Sequence, residues 1–525
     1  MRKILIISFV LALTGCSKEL LEKNSLTQIA AASFWKSEQD AILGINGIYD
    51  ALQDRSLYSG TLNGATGLPM YDNFGDNCFN SFKFEGPGNY MEANIDPSDA
   101  GRNLFTPFWV ASYRGIARAN TALENIETMP TSAISDAKKD ALFGQALFLR
   151  SLFYMNLAVY YQDVPLILKV QPLADAYVPK NTYQEVKDQI IKDLKEAADL
   201  LPPSYPAAQY GYATKGAALG LLARFQLYNK DYQGVLDATA SIQTLGYILN
   251  PSYAQLFTEA GELSKEILFS VRYFQDGGVS NNGELFSATF NFIPKIDQQP
   301  MPNLVKDYYC TDGKPITTSP LYNPGTPANN APQKLNRDPR LAASVYFRND
   351  VFFTDIPTRL FAGNTSTTYG LKKYLRTTSV SSTGIAAFSP GGQDFILLRY
   401  ADVLLMRAEA LVELNQLGTV PALVNQVRAR VNMPTVESVE GVGLSQESLR
   451  NIVRHERRVE LAFEGLRFFD LKRWGTVQQA FNAAIADNVI NYRGITYRGL
   501  KSETFPIPQT EVDANTSLVQ HPAWQ

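Results

Sequence analysis

The stretch that decides the fold runs Arg399-Tyr400-Ala401-Asp402-Val403-Leu404-Leu405-Met406-Arg407-Ala408-Glu409-Ala410. Apolar residues recur in and just beyond it at intervals of three and four, at positions 401, 404, 405, 408, 411 and 412. That spacing places them on one face of a helix, so the pattern predicts a helix over 397–414. A partner helix is predicted from Thr419-Val420-Pro421, where a proline occupies the first turn.

Upstream of this stretch, the chain repeats the alternation of helices and tight turns. Thr214 is placed to cap a helix that ends at Asn229-Lys230-Asp231, and another helical run follows directly. Thr182 and Glu185 form a capping-box pattern, and residues 139–161 are apolar nearly all round, as in a buried helix. These features predict a mainly α-helical protein of tetratricopeptide-like helix pairs, an α-α superhelix, with long irregular loop insertions.

Two segments interrupt the helical pattern, residues 58–101 and roughly 275–392. Non-periodic segments of this length in a compact protein usually carry function. The first combines aromatic side chains, which stack on sugar rings, with amide and carboxylate groups, which hydrogen-bond hydroxyls. The candidate ligand-binding residues are Tyr71, Asp72, Asn73, Asp76 and Tyr90. The alternative is that each aromatic side chain packs on the core. The second segment is a further candidate wall of the site.

A last long helix is predicted within residues 447–474, and it mixes both signs of charge. Arg457 and Glu460 are neighbours at i, i+3, as are Glu464 and Arg467. These charges are either a relay to a substrate or a structural ladder of ion pairs that holds helices together. No nucleophile or metal motif accompanies them, which favours the ladder.

Composition and motifs exclude several classes of function. The chain has 48 basic and 51 acidic residues, whereas a nucleic-acid interface needs a basic excess. The two histidines are too few for a histidine-based zinc site, and His455-Glu456-Arg457-Arg458-Val459 lacks the second histidine of a zinc-protease motif. We therefore expect no catalytic residues, no metal and no cofactor. Cys78 and Cys310 could pair or stay free.

The N-terminus has the pattern of an exported lipoprotein. Arg2 and Lys3 precede an apolar run, residues 4–13, that is too short to span a bilayer. The run ends in Leu13-Thr14-Gly15-Cys16, which resembles a bacterial lipobox, where small residues before the cysteine allow cleavage. We expect residues 1–15 to be a lipoprotein signal peptide and Cys16 to be lipidated. An ordinary signal peptide with an incidental cysteine is the alternative.

Several motifs together resemble the SusD/RagB family. The similar stretches are residues 399–410, Val424-Asn425-Gln426-Val427-Arg428-Ala429-Arg430, residues 456–475 and the tail motif Phe505-Pro506-Ile507-Pro508. The resemblance covers essentially the whole chain after the predicted signal peptide. It implies a SusD-like N-terminal region, 16–265, and a RagB/SusD C-terminal region, 266–525, in one compact unit.

The resemblance also implies a role. A member of this family is expected to be a surface-exposed, lipid-anchored lipoprotein of the outer membrane of Bacteroidetes-type bacteria. It is expected to bind a nutrient oligomer, most often a glycan, without catalysis, and to deliver it to a SusC-like TonB-dependent transporter. The implied partners are an oligosaccharide or polysaccharide, that transporter and the membrane, with no nucleic acid. A peptide-binding RagB-like relative and a surface glycosidase stay open as alternatives.

Overall fold

The structure is a computed structural model of the chain. It describes residues 34–59, 72–81, 90–92, 95–98, 104–274, 283–289, 298–376 and 391–525. The predicted signal peptide, the predicted lipidation site Cys16 and the candidate ligand residue Tyr71 lie outside these ranges.

Helices dominate the described ranges, which confirms the prediction of a mainly α-helical protein. Their bounds are α1 (Glu38–Leu52), α2 (Phe105–Thr128), α3 (Asp136–Tyr161), α4 (Tyr183–Leu200), α5 (Lys215–Tyr228), α6 (Tyr232–Gln243), α7 (Tyr253–Leu256), α8 (Phe286–Thr289), α9 (Pro302–Asp307), α10 (Pro339–Ser344), α11 (Tyr400–Glu413), α12 (Val420–Arg430), α13 (Val436–Glu440), α14 (Gln446–Leu461), α15 (Arg467–Trp474), α16 (Val477–Ala486) and α17 (Gln509–Ala514). A π-helical turn, Arg55–Ser59, follows α1.

The long helices pack in sequence order, as helix pairs stacked into a superhelix. Helix α1 packs on α2, and each helix from α2 to α5 packs on the next one. Helix α6 then packs on α11, and α11 contacts both α12 and α14. The row therefore continues from the N-terminal half of the chain into the C-terminal half, beyond the insertion that separates them.

Local signals account for where several helices begin. The Thr182 hydroxyl accepts from the Glu185 N–H at 3.3 Å, and the Glu185 carboxylate accepts from the Thr182 N–H at 2.8 Å, so the predicted capping box opens α4. Helix α3 is long and apolar enough to cross a membrane by length and composition, but 94% of its most apolar window is buried in the protein. That burial is what a core helix requires, as the sequence predicted.

The strands form two-stranded antiparallel ribbons. Their bounds are β1 (Cys78–Asn80), β2 (Ile267–Val271), β3 (Gln298–Pro300), β4 (Val345–Tyr346), β5 (Val351–Phe353), β6 (Ile356–Leu360), β7 (Gly370–Leu371) and β8 (Phe395–Arg399). Strand β1 pairs with β3, β2 with β8, β4 with β7 and β5 with β6. The β2–β8 ribbon joins the two halves of the chain, and one apolar core runs from Ala41 in α1 to the C-terminal Trp524. The region boundary at 265/266 stays a prediction.

The charged region 447–474 forms two helices, α14 and α15, where one long helix was predicted. The chain turns between them at Phe463 and Gly465, which have φ of 65° and 73°. Glycine adopts this left-handed backbone freely, whereas for phenylalanine it is uncommon. The break aims the Phe463 N–H at Asp72, whose carboxylate accepts it at 2.5 Å.

The charges of this region form a buried ladder of ion pairs, which confirms the structural interpretation. The Glu460 carboxylate accepts from Arg340 at 2.9 Å, from Arg399 at 2.6 Å and from Arg430. Arg457 donates to Asp402 at 2.8 Å. These side chains are at most 2% exposed, and buried ions need such mutual pairing because they have left water. The ladder joins α10, β8, α11, α12 and α14.

Candidate functional site

The structure describes four of the five candidate ligand residues and places all four in the interior. Asp72, Asn73, Asp76 and Tyr90 have exposed fractions between 0% and 3%. Each belongs to the first insertion, which packs against the C-terminal helices. In this conformation they present almost no surface to solvent. Their role as ligand contacts stays a prediction.

Asp76 is fully engaged by the ion-pair ladder. Its carboxylate accepts from Arg458 Nη2 at 3.0 Å and from Arg467 Nε at 2.8 Å. Burial alone would raise the pKa of Asp76, but the two guanidinium charges outweigh it and lower that pKa to about 2. Asp76 is therefore ionised near neutral pH and fastens the first insertion to α14 and α15.

Tyr90 is a packing residue in this structure, which is the alternative that the sequence left open for each aromatic. Its ring centroid lies 4.3 Å from that of Phe74, 5.6 Å from Phe468 and 5.7 Å from Phe505. Contacts at these distances are those of an interior aromatic cluster. Burial raises the pKa of the Tyr90 hydroxyl far above its ordinary value, so the group stays protonated.

Some buried polar atoms of the first insertion lack a hydrogen-bond partner among the described residues. Asp72 Oδ1, both polar side-chain atoms of Asn73 and the Tyr90 hydroxyl are buried without a hydrogen-bond partner among the described residues. Buried polar atoms in proteins nearly always have a partner. Burial raises the pKa of Asp72, against the lowering effect of its bonds from Asn77 and Phe463. This segment thus keeps hydrogen-bonding capacity close to the ladder.

Residues of the two insertions predicted from the sequence meet at one place beside the helical frame. The Leu285 N–H donates to the Ser59 carbonyl at 2.9 Å. Glu284 and Gly391 exchange two backbone hydrogen bonds, at 2.9 and 2.7 Å. Arg376 Nε donates to the Ser287 hydroxyl at 2.8 Å. We call this junction of segments 58–59, 283–287, 374–376 and 391–395 the insertion root.

The insertion root is tightly built around one buried carboxylate. Glu284 accepts from the Ser287 N–H at 2.8 Å and from the Ser287 hydroxyl at 2.6 Å, and Arg376 Nη2 lies 3.5 Å away. Burial raises the pKa of Glu284 despite these partners. Glycine at 391 leaves room for this carboxylate, because a Cβ there would lie 2.0 Å from Glu284 Oε1 and would displace that side chain. Sequence patterns did not single out Glu284 or Arg376, since neither belongs to a periodic element.

A cluster of aromatic side chains, which we call the aromatic floor, packs against the insertion root. Ring centroids of Phe286 and Phe395 lie 5.8 Å apart, those of Tyr374 and Phe395 lie 5.3 Å apart, and those of Tyr58 and Phe395 lie 6.1 Å apart. The Tyr58 hydroxyl accepts from Asn156 Nδ2 in α3 at 2.9 Å, which ties the floor to the helical row. The insertion root is therefore packed on the helical frame.

The described residues contain no group of three or more His, Cys, Asp or Glu side chains that could hold a metal ion. Cys78 and Cys310 are both buried and free, which settles the alternative that the sequence left open. Tyr322, an aromatic of the second insertion, lies under the guanidinium of Arg337 at 5.3 Å from its ring centroid. What the arrangement offers chemically is hydrogen bonding and aromatic contact.

The fold is a superhelix of helix pairs, which defines an α-helical protein of the tetratricopeptide-like class. Comparison with known families places it further. Residues 265–524 match the SusD family, and residues 73–227 match a family described as "Starch-binding associating with outer membrane". The chain belongs to the SusD/RagB family.

Relatives match along most of the chain. The SusD-like protein P38 of Formosa agariphila is 27% identical over 499 residues, which cover 88% of each protein. A SusD-like carbohydrate-binding protein of Bacteroides fragilis has a crystal structure that is 26% identical, with a TM-score of 0.78 over 93% of this chain and 100% of that one. A second SusD-like protein of the same organism is 25% identical, with a TM-score of 0.76 over 95% and 100%.

Proposed function

We propose that this chain is a lipid-anchored protein of the outer membrane that captures a glycan at the cell surface and passes it to a SusC-like TonB-dependent transporter. The observation that carries the proposal is a family fold in which residues of the two long insertions meet at the insertion root. The Bacteroides fragilis relative described as carbohydrate-binding supports the ligand class. The family description "associating with outer membrane" supports the location.

The proposed activity needs binding without turnover. Capture and transfer require no lowering of a reaction barrier. They require a ligand held loosely enough for a transporter to remove it. An insertion root fixed by Glu284 and by the aromatic floor suits this task. A preformed support reduces the conformational entropy that is lost when a ligand binds.

Binding and catalysis can be tested on one preparation. The chain without its signal peptide, carrying Cys16→Ser to keep it soluble, is run in native gels that contain single neutral polysaccharides. We expect retardation by at least one polysaccharide and no release of reducing ends from it. Release of reducing ends by the purified protein would favour a glycosidase. Retention of peptides with no response to any polysaccharide would favour a peptide-binding relative.

Location and partner need intact cells. Alkyne-fatty-acid labelling should mark the wild-type chain and not Cys16→Ser, and protease added outside intact cells should degrade the wild-type chain. A TonB-dependent transporter should copurify with it from detergent extracts. An unlabelled chain in the periplasm, or purification without any such transporter, would contradict the proposal.

The ligand contacts within this proposal are those predicted from the sequence. Tyr71→Ala is the informative change, because Asp76 and Tyr90 also hold the fold together and would lose binding for structural reasons. We expect weaker glycan binding with an unchanged melting temperature. Unchanged affinity in Tyr71→Ala would remove this assignment while leaving glycan capture itself intact.

A further inference from the structure

Two adjoining cavities open on the helical frame beside α1 and α5. One has a volume of about 390 Å³ and the other about 350 Å³. Both lie within the range of about 300–1,000 Å³ that small-ligand sites occupy. Residues 209–212 and Ser270 line both of them, so a single strip of chain separates the two. We call the pair the tyrosine cleft.

Tyrosine rings dominate the walls of the cleft. They are Tyr49, Tyr205, Tyr210, Tyr212 and Tyr247. All of these side chains are half-buried, which leaves part of each one open to a ligand. The ring centroids of Tyr205 and Tyr212 lie 5.8 Å apart, and those of Tyr49 and Tyr212 lie 5.5 Å apart. The rings thus form a connected aromatic surface.

Each ring is held in place through its hydroxyl. Tyr212 donates to Asn46 Oδ1 at 2.9 Å, and Gln145 Nε2 donates to the Tyr205 hydroxyl at 2.9 Å. The Tyr247 hydroxyl is bonded to that of Thr214 at 3.1 Å. A side chain that is already fixed loses little freedom when a ligand stacks on it. The cleft is therefore preorganised before any ligand arrives.

The dividing strip is rigid for a backbone reason. Gly211 has φ of 106°, and a Cβ there would lie 2.4 Å from Arg272 Cδ. Arg272 Nη1 donates to the Tyr210 carbonyl at 3.2 Å, and its guanidinium carbon lies 4.8 Å from the centre of the Tyr210 ring. Only glycine lets the strip approach Arg272 this closely. The cation in turn fixes the ring of Tyr210.

The rim combines polar groups with one strongly exposed apolar side chain. Leu263 is 73% exposed beside Ser264 and Lys265, which also line the cleft. The charged side chains of the lining include both signs, and Arg272 Nε lies 3.4 Å from the Asp394 carboxylate. The cleft therefore has no excess of one charge that would select an ionic ligand.

We propose that the tyrosine cleft is a second ligand site, which binds a neutral oligosaccharide on the helical frame. Sugar rings have apolar C–H faces that stack on tyrosine and hydroxyl edges that bond to amide, hydroxyl and guanidinium groups, and the cleft supplies both. An apolar ligand would bury the polar rim unpaired, at a cost in free energy. The choice of a saccharide rests on the proposed function. None of the residues that line the cleft belongs to the insertion root, which the cleft meets at the Arg272–Asp394 pair.

The test uses variants that separate ring stacking from folding. Tyr212→Ala and Tyr247→Ala remove cleft rings, and Tyr212→Phe keeps the ring but removes its hydroxyl. Tyr177→Ala is the matched control, because Tyr177 is 65% exposed and does not line the cleft. The probes are laminarihexaose, maltohexaose, cellohexaose and xylohexaose, each measured by isothermal titration calorimetry, with melting temperatures as the folding check.

We expect one probe or more to bind, with affinity about tenfold lower in the two cleft alanine variants, as for loss of an aromatic contact residue. Tyr177→Ala should bind like the wild type, and Tyr212→Phe should lose less affinity than Tyr212→Ala, because it keeps the ring and loses only the bond to Asn46. Lys265 acetylation, followed by mass spectrometry in the unaltered protein, should slow when that probe is present, while acetylation of the exposed Lys169 should not change. This second measurement does not depend on any variant folding.

Three results would overturn the inference. They are failure of all four hexasaccharides to bind, equal affinity in wild type and both cleft alanine variants, and protection of Lys265 by peptides alone. None of these refutes glycan capture, because polysaccharide retardation and the Tyr71→Ala variant test that separately. Conversely, hexasaccharide binding lost in the cleft variants and kept in Tyr71→Ala would support the cleft while removing the assignment to the insertion.

Discussion

Replacement of Asp76 by asparagine should destabilise the protein, although the side chain keeps its shape. The change removes the negative charge that Arg458 and Arg467 face at 3.0 and 2.8 Å. Arg458 keeps a second carboxylate, Asp307, at 3.1 Å, whereas no other ion pair is recorded for Arg467 among the described residues. A nearly buried guanidinium that has lost its carboxylate partner strongly destabilises the folded state.

Two routes give a similar size for the effect. The pKa of Asp76 falls from an ordinary 3.8 to about 2, and each unit corresponds to about 1.4 kcal/mol, so ionisation adds about 2 kcal/mol to folding. Removal of one partner from a buried pair typically costs about 3–5 kcal/mol. We therefore expect the free energy of unfolding to fall by about 2–4 kcal/mol in Asp76→Asn at neutral pH.

Urea unfolding of both proteins at several pH values is the assay. Since the folded pKa is depressed, the contribution of Asp76 is complete above pH 3.8 and is lost as the pH falls through about 2. The gap between wild type and variant should shrink over that window. Asp50→Asn is the control, since its pair with Arg118 is 59% and 40% exposed and should be worth less than about 1 kcal/mol. Equal losses of unfolding free energy in Asp76→Asn and Asp50→Asn would refute the reasoning. So would a difference between wild type and Asp76→Asn that does not change with pH.

Three further results are expected. Gly391→Ala should lower the melting temperature by several degrees, because its Cβ would overlap a buried carboxylate, whereas Gly418→Ala, with nothing within 4 Å, should not. Cys78 and Cys310 should react with a thiol reagent only after unfolding, because both are buried; reaction in the native protein would contradict their placement. Burial and a nearby carboxylate raise the pKa of Glu262 from 4.5 to about 7, so stability should rise as the pH falls from 7 to 4.5. Urea unfolding of Glu262→Gln should show a smaller rise, because Asp394, with a pKa raised by burial to about 6, contributes to the same window.

Helix positions were predictable because the signals that set them are local. The Thr182 and Glu185 pair spans one turn, and both of its hydrogen bonds form where the pattern predicts them. The apolar spacing around Ala401 and Leu405 describes one face of α11, which is buried as expected. A helix end depends on residues within a turn or two, and such residues stand together in the sequence.

The break between α14 and α15 was missed because its cause lies far away in the chain. Residues 462–466 contain no proline, and a helix tolerates a single glycine such as Gly465 at a modest cost in free energy. The turn is stabilised by Asp72, which accepts the Phe463 N–H from 391 residues away. A sequence pattern cannot contain that contact, since it forms only when the first insertion packs on the C-terminal helices.

The same limit applies to the candidate site. Asp72, Asn73, Asp76 and Tyr90 have the residue types of a sugar site, but type alone does not distinguish a ligand contact from a buried partner. Asp76 is separated from Arg458 by 382 residues in sequence and by 3.0 Å in space. The tyrosines of the cleft come from three separate stretches of chain, so no local motif predicts that they lie together.

The buried ladder explains why the insertions can leave from one fixed place. Arg399 ends β8 and donates to Glu266, Glu460 and Glu464, at 2.9, 2.6 and 2.8 Å. Buried ion pairs add little stability over apolar packing, but a planar guanidinium bonded on several sides fixes direction. Because β8 begins at Phe395 in the insertion root, the ladder fixes the strand that carries the root. The buried charges thus fix the position of the frame before a ligand binds. Ligand binding then does not have to bear the entropic cost of ordering the frame.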